Sequence, residues 1–482
     1  MGIHLLALLL FCLCTPGRTD DDVSMSGTVS PDEGLLPSTI AEEVVTTAMP
    51  EPPTRAPTHD APFETYTTPP AFTADPLQEG DSSEEEQEDC GASAKHAVGG
   101  AIMKLGLKLL QTLQTSPEQP NTIISPLSVS LALSQLALGA VNETEELLLS
   151  ALHADALPCY HKSLRSLLQQ LHNNALQVAT RLYLGPGFKV KSAFEKESMR
   201  MYKSDVAPLT GIEEVNEWVE DATKGKITNF LSSLPPNLAL MLINAVHFKG
   251  QWQARFNPRF TSKELFYVDD REVVPVDMML GPKYPLSMLL DSETDSLVAR
   301  FPFKQHMSLL VVMPVFGQVN VSAIAAKLNI SDLYARLPRA RAMQVKLPKL
   351  KLEYSQDLQQ AFISMGLGEL FTGPNLAGIA DGPLLVSSVQ HKSSLELNEE
   401  GAEAAAATSM VILRSNPSFT LNQPFFFALM DDNTQTPLFL GVIKNPNPEA
   451  APMQVGGPTG AGKDKLSFAD KKNGHSYNHI PK

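Results

Sequence analysis

Cysteine, tryptophan and long apolar segments are scarce in this sequence. Its 482 residues include four cysteines and two tryptophans. Past the N-terminal region, no uncharged apolar run reaches the ~20 residues that a membrane-spanning helix needs. The motif Gly-x-Ser-x-Gly, which exposes a nucleophilic serine on a sharp turn in many hydrolases, is also absent. The sequence therefore argues against a membrane-spanning protein and against a serine hydrolase of that type.

The N-terminal residues have the pattern of a secretory signal. An apolar run from Leu5 to Cys14 gives way to small and turn-forming residues near Gly17. The run is too short to span a bilayer, and this arrangement is typical of a signal that is removed from the mature protein. We therefore predict a signal peptide over residues 1–17 and a secreted, extracellular protein.

Secretion decides how the cysteines are interpreted. Cys12 and Cys14 belong to the predicted signal and are lost with it. Cys90 and Cys159 remain, and a single pair in an oxidising compartment forms a disulfide by default. Such a bond would close a loop of about 70 residues and stabilise the fold by roughly 4 kcal/mol in the chain-entropy account. The alternative is a pair of buried free thiols.

Negative charge is concentrated in one segment. Residues 19–89 contain 18 acidic residues and one arginine, whereas the whole chain has a formal net charge of −15. This segment is rich in Pro, Thr and Ser and has few large apolar residues, so it cannot bury enough surface to offset its ordering entropy. We predict a disordered acidic extension over residues 18–89. Its run from Asp81 to Asp89 is typical of a solvated spacer, with attraction of a basic partner as the alternative.

A folded domain is predicted over residues 90–448. Apolar residues recur at helical spacing from Ile102 to Leu113 and from Leu127 to Leu138, where Ser125 and Pro126 suit a helix start. Alternating or continuous apolar residues predict strands over residues 178–184, 238–248, 308–313, 342–348 and 437–444. Helices in the first half and strands in the second favour an α+β fold over alternating βαβ units.

Residues 449–482 predict a flexible C-terminal tail, because they hold Gly, Pro and Lys with almost no apolar side chains. The run Gly457–Asp464 approaches a phosphate-binding loop, but Asp464 replaces the required Ser or Thr and no strand precedes the run. His475 and His479 have metal-ligand spacing without a third ligand or an evident helix. We therefore expect no metal and no cofactor.

The stretch from Leu397 to Ser415 begins like a strand and continues with unusually small side chains. It passes through Glu399 and Gly401, contains four consecutive alanines and reaches Arg414. The stretch has no apolar stripe at helical spacing, but small side chains allow close burial beneath a neighbouring layer. Gly401 permits a backbone hinge. We interpret the stretch as an exposed segment that can be inserted as a strand.

This stretch resembles the reactive-centre loop of the serpins, and further motifs similar to that family occur in the family's order. They are Asn121–Val129, Asn216–Val219, Thr223–Ile227, Asn244–Trp252, Asn422–Phe427 and Pro437–Pro446. The resemblance covers the chain from Cys90 to Pro448. It implies one large domain with three β-sheets, eight or nine helices and an exposed reactive-centre loop. It also implies a plasma protein that is a serine protease inhibitor rather than an enzyme.

The resemblance implies a suicide-substrate mechanism. Arg414 would enter the specificity pocket of a trypsin-like protease, and the bond from Arg414 to Ser415 would be the reactive bond. The loop would then insert as an added strand of the central sheet and carry the acylated protease with it. Counted from Glu399, Arg414 lies one position earlier than the scissile residue of many serpins, which leaves Ser415 as the alternative.

The hinge implied by the resemblance consists of Glu399, Gly401, Ala402, Ala404, Ala405, Ala406, Ala407 and Thr408. An inserted strand needs small or apolar side chains at every second position. The inward set is Ala402, Ala404, Ala406 and Thr408. The outward set is Glu403, Ala405, Ala407 and Ser409. This alternation favours an inhibitory serpin over a non-inhibitory one.

One serpin that shares the acidic extension and the Lys-ended tail inhibits plasmin, and the resemblance implies plasmin and the regulation of fibrinolysis here. In that serpin the tail binds the lysine-binding kringles of plasmin. The corresponding lysines are Lys463, Lys465, Lys471, Lys472 and Lys482. The alternatives are an inhibitor of another Arg-directed plasma protease and a non-inhibitory serpin. We expect a monomer with no nucleic-acid or membrane partner.

Two further sets of surface residues are candidates for binding or modification. Glycosylation sequons begin at Asn142, Asn320 and Asn329. A basic stretch consists of Arg339, Arg341, Lys346, Lys349 and Lys351. Such a stretch is typical of a solvated strand face, with a polyanion site as the less favoured alternative.

Overall fold

The computed structural model describes residues 91–113, 115–171, 175–315, 321–400 and 417–455. Within these ranges the chain forms nine α-helices, two short 3₁₀-helices and fifteen strands. Over the same ranges, every helix is too short or too polar to cross a membrane. The predicted signal peptide, the acidic extension and Cys90 lie outside the described residues.

The helix Pro126–Ala137 (α2) packs against three other helices, α1, α3 and α5. Ser125 caps α2, because its side chain accepts a hydrogen bond from the backbone N–H of Ser128 at 3.3 Å, and Pro126 occupies the first turn. All twelve residues of α2 are buried. The helices are α1 (Ala92–Thr112), α2 (Pro126–Ala137), α3 (Glu143–Ala151), α4 (Tyr160–Leu171), α5 (Ser192–Tyr202), α6 (Ile212–Ala222), α7 (Val321–Ala325), α8 (Ile330–Arg336) and α9 (Gln359–Ser364).

The strands fall into two hydrogen-bonded sheets. They are β1 (Thr122–Ile124), β2 (Leu176–Leu184), β3 (Val206–Pro208), β4 (Leu240–Lys249), β5 (Ser262–Tyr267), β6 (Glu272–Asp291), β7 (Ser296–Pro302), β8 (Met307–Pro314), β9 (Arg341–Pro348), β10 (Leu350–Asp357), β11 (Val386–Leu397), β12 (Ser418–Thr420), β13 (Phe425–Asp431), β14 (Thr436–Ile443) and β15 (Met453–Gln454).

The larger sheet has ten strands and consists of two parts that share β6. Its order is β1-β14-β13-β8-β7-β6-β9-β12, and β5 and β15 also pair with β6. The end of β6 pairs with β7, whereas its earlier residues pair with β9 and β5. The register of β6 against β9 shifts between Gly281 and Tyr284. With the five-stranded sheet, these two parts account for the three sheets that the sequence resemblance implies.

The smaller sheet has the order β10-β11-β4-β2-β3. β11 is antiparallel to β10 but parallel to β4, and we call the boundary between β11 and β4 the seam. Its pairs run from Val386 with Leu240 to Glu396 with Lys249, with a register shift between Val386 and Ser388. A strand placed between two parallel strands can run antiparallel to both of them.

The apolar core lies between the sheets and the helices. β8, β13 and β14 are buried along their whole length, as their near-continuous apolar sequences indicate. A second apolar cluster lies on the other face of the five-stranded sheet, where Val215 and Val219 of α6 cover Tyr183 and Met241.

The predicted strands agree with the observed ones to within two residues at each end. α1 begins at Ala92, ten residues earlier than its apolar pattern indicates, because its first turns carry polar and small residues. Residues 449–455, which the sequence assigns to the tail, are described here. In β15, Met453 pairs with Val273 beyond the end of β9, where the edge of β6 has no other strand among the described residues. The sheet therefore extends into the first residues of the predicted tail.

Candidate functional site

The candidate site is the connection between β11 and β12 together with the sheet positions that hold its two ends. Residues 401–416 lie outside the described residues. This segment includes Arg414, Ser415 and the hinge positions Gly401, Ala402, Ala404, Ala405, Ala406, Ala407 and Thr408, so these assignments stay predictions.

The two ends of the connection are held by different sheets. Its first end continues from β11 to Glu400, beside the five-stranded sheet. At its second end the carbonyl of Pro417 accepts a hydrogen bond from the N–H of Gln344 at 3.2 Å. β12 then lies parallel to β9 at the edge of the ten-stranded sheet. The loop therefore joins the two sheets.

Trp252 holds the first end of the loop. Its indole Nε1–H donates to the carbonyl of Asn398 at 2.6 Å, and its backbone N–H donates to the carbonyl of Glu400 at 3.0 Å. The indole is fully buried and stacks on Phe303, with ring centroids 4.3 Å apart. The chain leaving β11 is thus fixed by a rigid aromatic group.

The carboxylate of Glu399, the first residue of the predicted hinge, is held at the same end. It accepts a hydrogen bond from the hydroxyl of Thr261 at 2.7 Å and lies 3.0 Å from the ammonium of Lys349. Burial acts to raise the pKa of the Glu399 carboxyl, but the hydrogen bonds from Thr261 and Lys349 outweigh burial and lower this pKa. Glu399 is therefore ionised, and its side chain is fixed before the loop begins.

A buried polar cluster joins the two strands of the seam on their inner face. Oδ1 of Asn244 accepts a hydrogen bond from the hydroxyl of Ser128 at 2.6 Å and lies 2.8 Å from Nδ1 of His391. Burial lowers the pKa of His391 to about 3, so the imidazole is neutral. Because Asn244 Oδ1 can only accept, Nδ1 of His391 carries the proton. The cluster ties β4 and β11 to α2.

Other side chains cross the seam on its outer face. Nδ1 of His247 lies 3.1 Å from Oγ of Ser394, and Nζ of Lys249 lies 3.2 Å from the carboxylate of Glu396. Burial, with a smaller effect from Lys226, lowers the pKa of His247. Nε2 of His247 is buried and makes no hydrogen bond within the described part of the chain. A strand inserted into the seam would break both cross-strand contacts.

A charge cluster fastens α6 to the outer face of the same sheet. The guanidinium of Arg181, on β2, lies 4.4 Å from the ring of Trp218 in α6 and pairs with Asp205 at 2.5 Å. It also lies 3.4 Å from the carboxylate of Glu214. Cation–π contacts and ion pairs of this kind add to the apolar packing beneath α6. Any widening of the sheet therefore takes place beneath an attached helix.

Several predicted site residues lie away from the loop. Cys159 is half-buried, but its predicted partner Cys90 is outside the described residues, so the disulfide stays a prediction. Asn142 and Asn329 are exposed, whereas Asn320 is outside the described residues. Exposure is what glycosylation requires, and the three sequons stay predictions as well. The lysines from Lys463 to Lys482 also lie outside the described residues.

The basic stretch is used in part for internal ion pairs. Lys346 lies 2.7 Å from Glu264, and Lys349 pairs with Glu399. Arg339, Arg341 and Lys351 are exposed, which fits a solvated strand face rather than a compact polyanion site. Within the described ranges, no group of three His, Cys, Asp or Glu side chains is arranged to hold a metal ion.

Sequence reasoning missed the residues that surround the loop ends. Lys349 was assigned to a basic strand face, and its contact with Glu399 is formed across distant parts of the chain. Thr261 and His391 carry no local signal either. Asn244 and Trp252 do lie within the serpin-like motif Asn244–Trp252, which is a sequence signal for the residues around the loop end.

Comparison with known protein families matches residues 100–446 to the serpins, described as serine protease inhibitors. The chain belongs to the serpin family. This serpin is 43% identical over 398 residues to alpha-2-antiplasmin of Bos taurus, which covers 80% of each chain. It is 43% identical over 368 residues to alpha-2-antiplasmin of Mus musculus, which covers 75% of each chain. The solved structure of uncleaved ovalbumin has a TM-score of 0.67 at 27% identity and covers 72% of this chain and 100% of that chain.

These similarities confirm the predicted α+β serpin fold and the predicted resemblance to alpha-2-antiplasmin. Family membership places the protein among protease inhibitors rather than among catalytic enzymes. The contacts at the loop ends and across the seam are therefore those of a serpin with a five-stranded central sheet.

Proposed function

We propose that this serpin inhibits trypsin-like serine proteases, plasmin foremost, by forming a covalent acyl-enzyme and inserting its reactive loop into the seam. Inhibition of plasmin would regulate fibrinolysis. The observation that carries the proposal is the parallel pairing of β11 with β4. A chain that reverses direction after Glu400 runs antiparallel to β11 and, for that reason, also antiparallel to β4. The seam can therefore accept one strand from the loop.

The covalent step begins as ordinary proteolysis at Arg414. The guanidinium of Arg414 suits a specificity pocket that contains a buried carboxylate. The serine Oγ of the protease attacks the carbonyl carbon of Arg414, an ester bond forms, and the bond to the nitrogen of Ser415 breaks. The serine proton passes through the catalytic histidine of the protease to the leaving amine. The product is an acyl-enzyme and a C-terminal fragment that begins at Ser415.

Insertion then competes with hydrolysis of the ester. One backbone ladder, between β11 and β4, is replaced by two, so each inserted residue gains backbone hydrogen bonds. The inward positions Ala402, Ala404, Ala406 and Thr408 suit the buried side of the seam because they carry no charge. The contact of Asn244 with His391 and that of His247 with Ser394 must break first. Before cleavage the loop is also held at its second end, where Pro417 and β12 pair with β9, and cleavage at Arg414 frees the inserting part from that end.

The choice of plasmin is supported by two relatives named alpha-2-antiplasmin and by the arginine at position 414. We also propose that the tail lysines, Lys463, Lys465, Lys471, Lys472 and Lys482, bind the kringles of plasmin. A lysine-binding pocket captures an ammonium with a carboxylate and an aromatic wall. Extracellular secretion, a disulfide from Cys90 to Cys159 and glycans at Asn142, Asn320 and Asn329 belong to the same proposal.

The test is to mix the secreted protein with plasmin, run a denaturing gel and sequence the amino terminus of the small fragment. A complex that survives denaturation, with a fragment that begins at Ser415, is the expected result. A fragment that begins at Asn416 would move the reactive bond by one residue. Clean cleavage without a complex would contradict the inhibitory mechanism, and the absence of any cleavage would contradict plasmin as the target.

A further inference from the structure

The outer edge of β10 is a free edge over part of its length. Among the described residues, β10 pairs with β11 on one side and with no strand on the other. Just before β10, the N–H of Lys349 donates to the carbonyl of Asp277 at 2.8 Å. Towards the end of β10, the carbonyl of Ser355 accepts from Nε2 of Gln119 at 3.2 Å. These two contacts mark the limits of the free edge.

Lys351 and Glu353 present backbone hydrogen-bonding groups at this edge. The N–H and C=O of one strand residue point to the same side, and the direction repeats at every second residue. Lys349 and Ser355 point away from β11, so Lys351 and Glu353 do too. Neither residue makes a backbone hydrogen bond at that edge with any described part of the chain. A free edge of this kind is a template for another strand.

A cleft of about 840 Å³ lies along the same edge. Its lining includes Val276 of β6, Pro120 before β1 and the segment Pro446–Glu449. From Lys349 to Ser355 the strand covers roughly 20 Å, which is room for a strand of about five residues. The cleft is thus bounded on one wall by the chain that leads into the C-terminal tail.

We propose that residues 465–470 of the C-terminal tail bind this edge as an added strand. The last described residue, Val455, donates its N–H to the carbonyl of Arg271 at 2.7 Å, at the start of β6. Lys465 lies ten residues further along the chain, and an extended chain of ten residue steps spans about 33 Å. The free edge of β10 begins where Lys349 contacts Asp277. Asp277 is six residues after Arg271, so the distance from Arg271 to the start of the edge is roughly 20 Å. The tail can therefore reach the cleft.

The sequence of this segment suits the cleft. Leu466 and Phe468 alternate with Ser467 and Ala469, so in an extended strand the two large apolar side chains share one face. That face can lie against the proline-lined wall. The backbone of the segment would pair with Lys351 and Glu353, as in other cases of strand addition.

Charge favours the same occupant. The lining of the cleft includes five carboxylates and three lysines, and most of them form ion pairs inside the fold. Glu118 and Glu449 are exposed and have no ion pair in the described part of the chain. Lys465 and Lys471 flank the proposed strand. Their ammonium groups complement the two carboxylates, whereas the acidic N-terminal extension would add repulsion.

The binding of residues 465–470 does not depend on the inhibitory mechanism. While bound, it would hold Lys465 and Lys471 at the cleft and leave Lys472 and Lys482 free for a partner, on a chain that starts from a fixed place beside β10. It would also cover a sheet edge that could otherwise pair with a second molecule.

Hydrogen exchange at single amides tests the proposal. The full chain is compared with a chain that ends at Val455, which retains β15. We expect the amides of Lys351 and Glu353 to exchange about ten-fold faster or more in the shortened chain, because they lose their acceptors. The amide of Leu352 points to β11, so it reports folding and should not change. Equal exchange at Lys351 and Glu353 in the two chains would overturn the proposal.

Two matched pairs of variants distinguish backbone pairing from other contacts. Lys351→Pro removes the outward N–H without removing a bond to β11, and Lys351→Ala removes only the side chain. Fast exchange at Glu353 in the proline variant with protection retained in the alanine variant is expected. In the tail, Phe468→Asp should remove protection, whereas Ser467→Asp, on the opposite face, should keep it. Protection that rises with protein concentration would overturn the assignment in favour of a second copy.

Discussion

At the scale of single residues, two enclosed side chains along β11 and the chain that follows it differ in charge: His391 is neutral, whereas Glu399 is ionised. His391 is surrounded by the seam and by α2, and it receives no compensating carboxylate, so its imidazole is neutral. Glu399 is also enclosed, but Thr261 and Lys349 supply hydrogen bonds and charge, so its carboxyl stays ionised. The inside of the seam thus excludes charge, while its end, where the loop begins, contains a fixed ion pair.

The neutral state of His391 predicts a pH dependence of stability. Its pKa is about 3 in the folded chain, against about 6.5 for an unperturbed histidine, so the unfolded chain binds the extra proton between these values. The contribution of neutral His391 to the free energy of unfolding is complete above pH about 6.5. It falls with decreasing pH and is lower by about 2 kcal/mol at pH 5. His391→Gln should abolish this part of the pH dependence.

The measurement is the urea midpoint of tryptophan fluorescence at pH 7.5 and at pH 5. Trp218 and Trp252 are the two tryptophans of the chain, and both contact the five-stranded sheet or its loop end. His96→Gln, at an exposed position on α1, controls for the loss of an imidazole. A His391→Gln variant with the same pH dependence as the native chain would contradict the assignment of a buried neutral imidazole.

The ion pair between Glu399 and Lys349 predicts that removing the Glu399 carboxylate lowers the stability of the fold. Glu399→Ala leaves the ammonium of Lys349 and the hydroxyl of Thr261 without their acceptor, which should cost about 1–3 kcal/mol. Glu400→Ala removes a more exposed pair with Lys249, in which the Glu400 side chain is 53% exposed, and should cost less than about 1 kcal/mol. Urea midpoints of the two variants give the comparison. Equal losses of stability in the two variants would mean that the contacts of Glu399 stabilise the fold no more than those of Glu400.

At the scale of elements, the seam decides what kind of strand can be inserted. The sequence predicts an alternation of small residues in the loop, and the structure supplies two parallel strands that could receive it. Side chains on the inner side of an inserted strand would meet the buried cluster of Asn244 and His391. Side chains on its outer side would lie near His247 and α6.

The alternation predicts different effects at neighbouring positions of the loop. Ala404→Arg and Ala406→Arg would force an unpaired charge into the buried side of the sheet, which costs several kcal/mol, so insertion should become slower than hydrolysis. Both variants should be cleaved by plasmin without forming a stable complex. Ala405→Arg and Ala407→Arg, on the outward side, should keep most complex formation. The yield of denaturant-stable complex measures the effect, and full yield from Ala404→Arg and Ala406→Arg would show that the insertion register is wrong.

At the scale of the whole molecule, local patterns predicted two of the helices and five of the strands, while contacts distant in sequence determined the site. The alternating and continuous apolar runs located the predicted strands because burial on one or both faces leaves a mark in the local sequence. No local pattern could show that Lys349 meets Glu399, since that contact depends on how two sheets are joined. The strand β15 also leaves no local signal, because two residues are too few to show a period.

The lysines beyond β15 give the prediction that concerns the whole molecule. Replacing Lys463, Lys465, Lys471, Lys472 and Lys482 with Gln removes the ammonium groups that kringles would bind but keeps Leu466 and Phe468. Association with plasmin should slow by about ten-fold or more, because a second contact between two molecules raises the effective concentration of the first. Association with the isolated catalytic domain of plasmin should not change.

Loss of five positive charges also weakens electrostatic attraction, so a control with the same net charge is needed. The serpin domain offers five exposed lysines that form no ion pair within the described ranges: Lys104, Lys162, Lys196, Lys283 and Lys327. If the tail binds kringles, only the tail variant slows association, and it does so only with intact plasmin. If both variants slow association equally, the tail acts through its charge alone. The tail variant could also slow association with the isolated catalytic domain as much as association with intact plasmin. In that case kringle binding has no part in recognition, and any role of the tail lies in its contacts with the serpin domain.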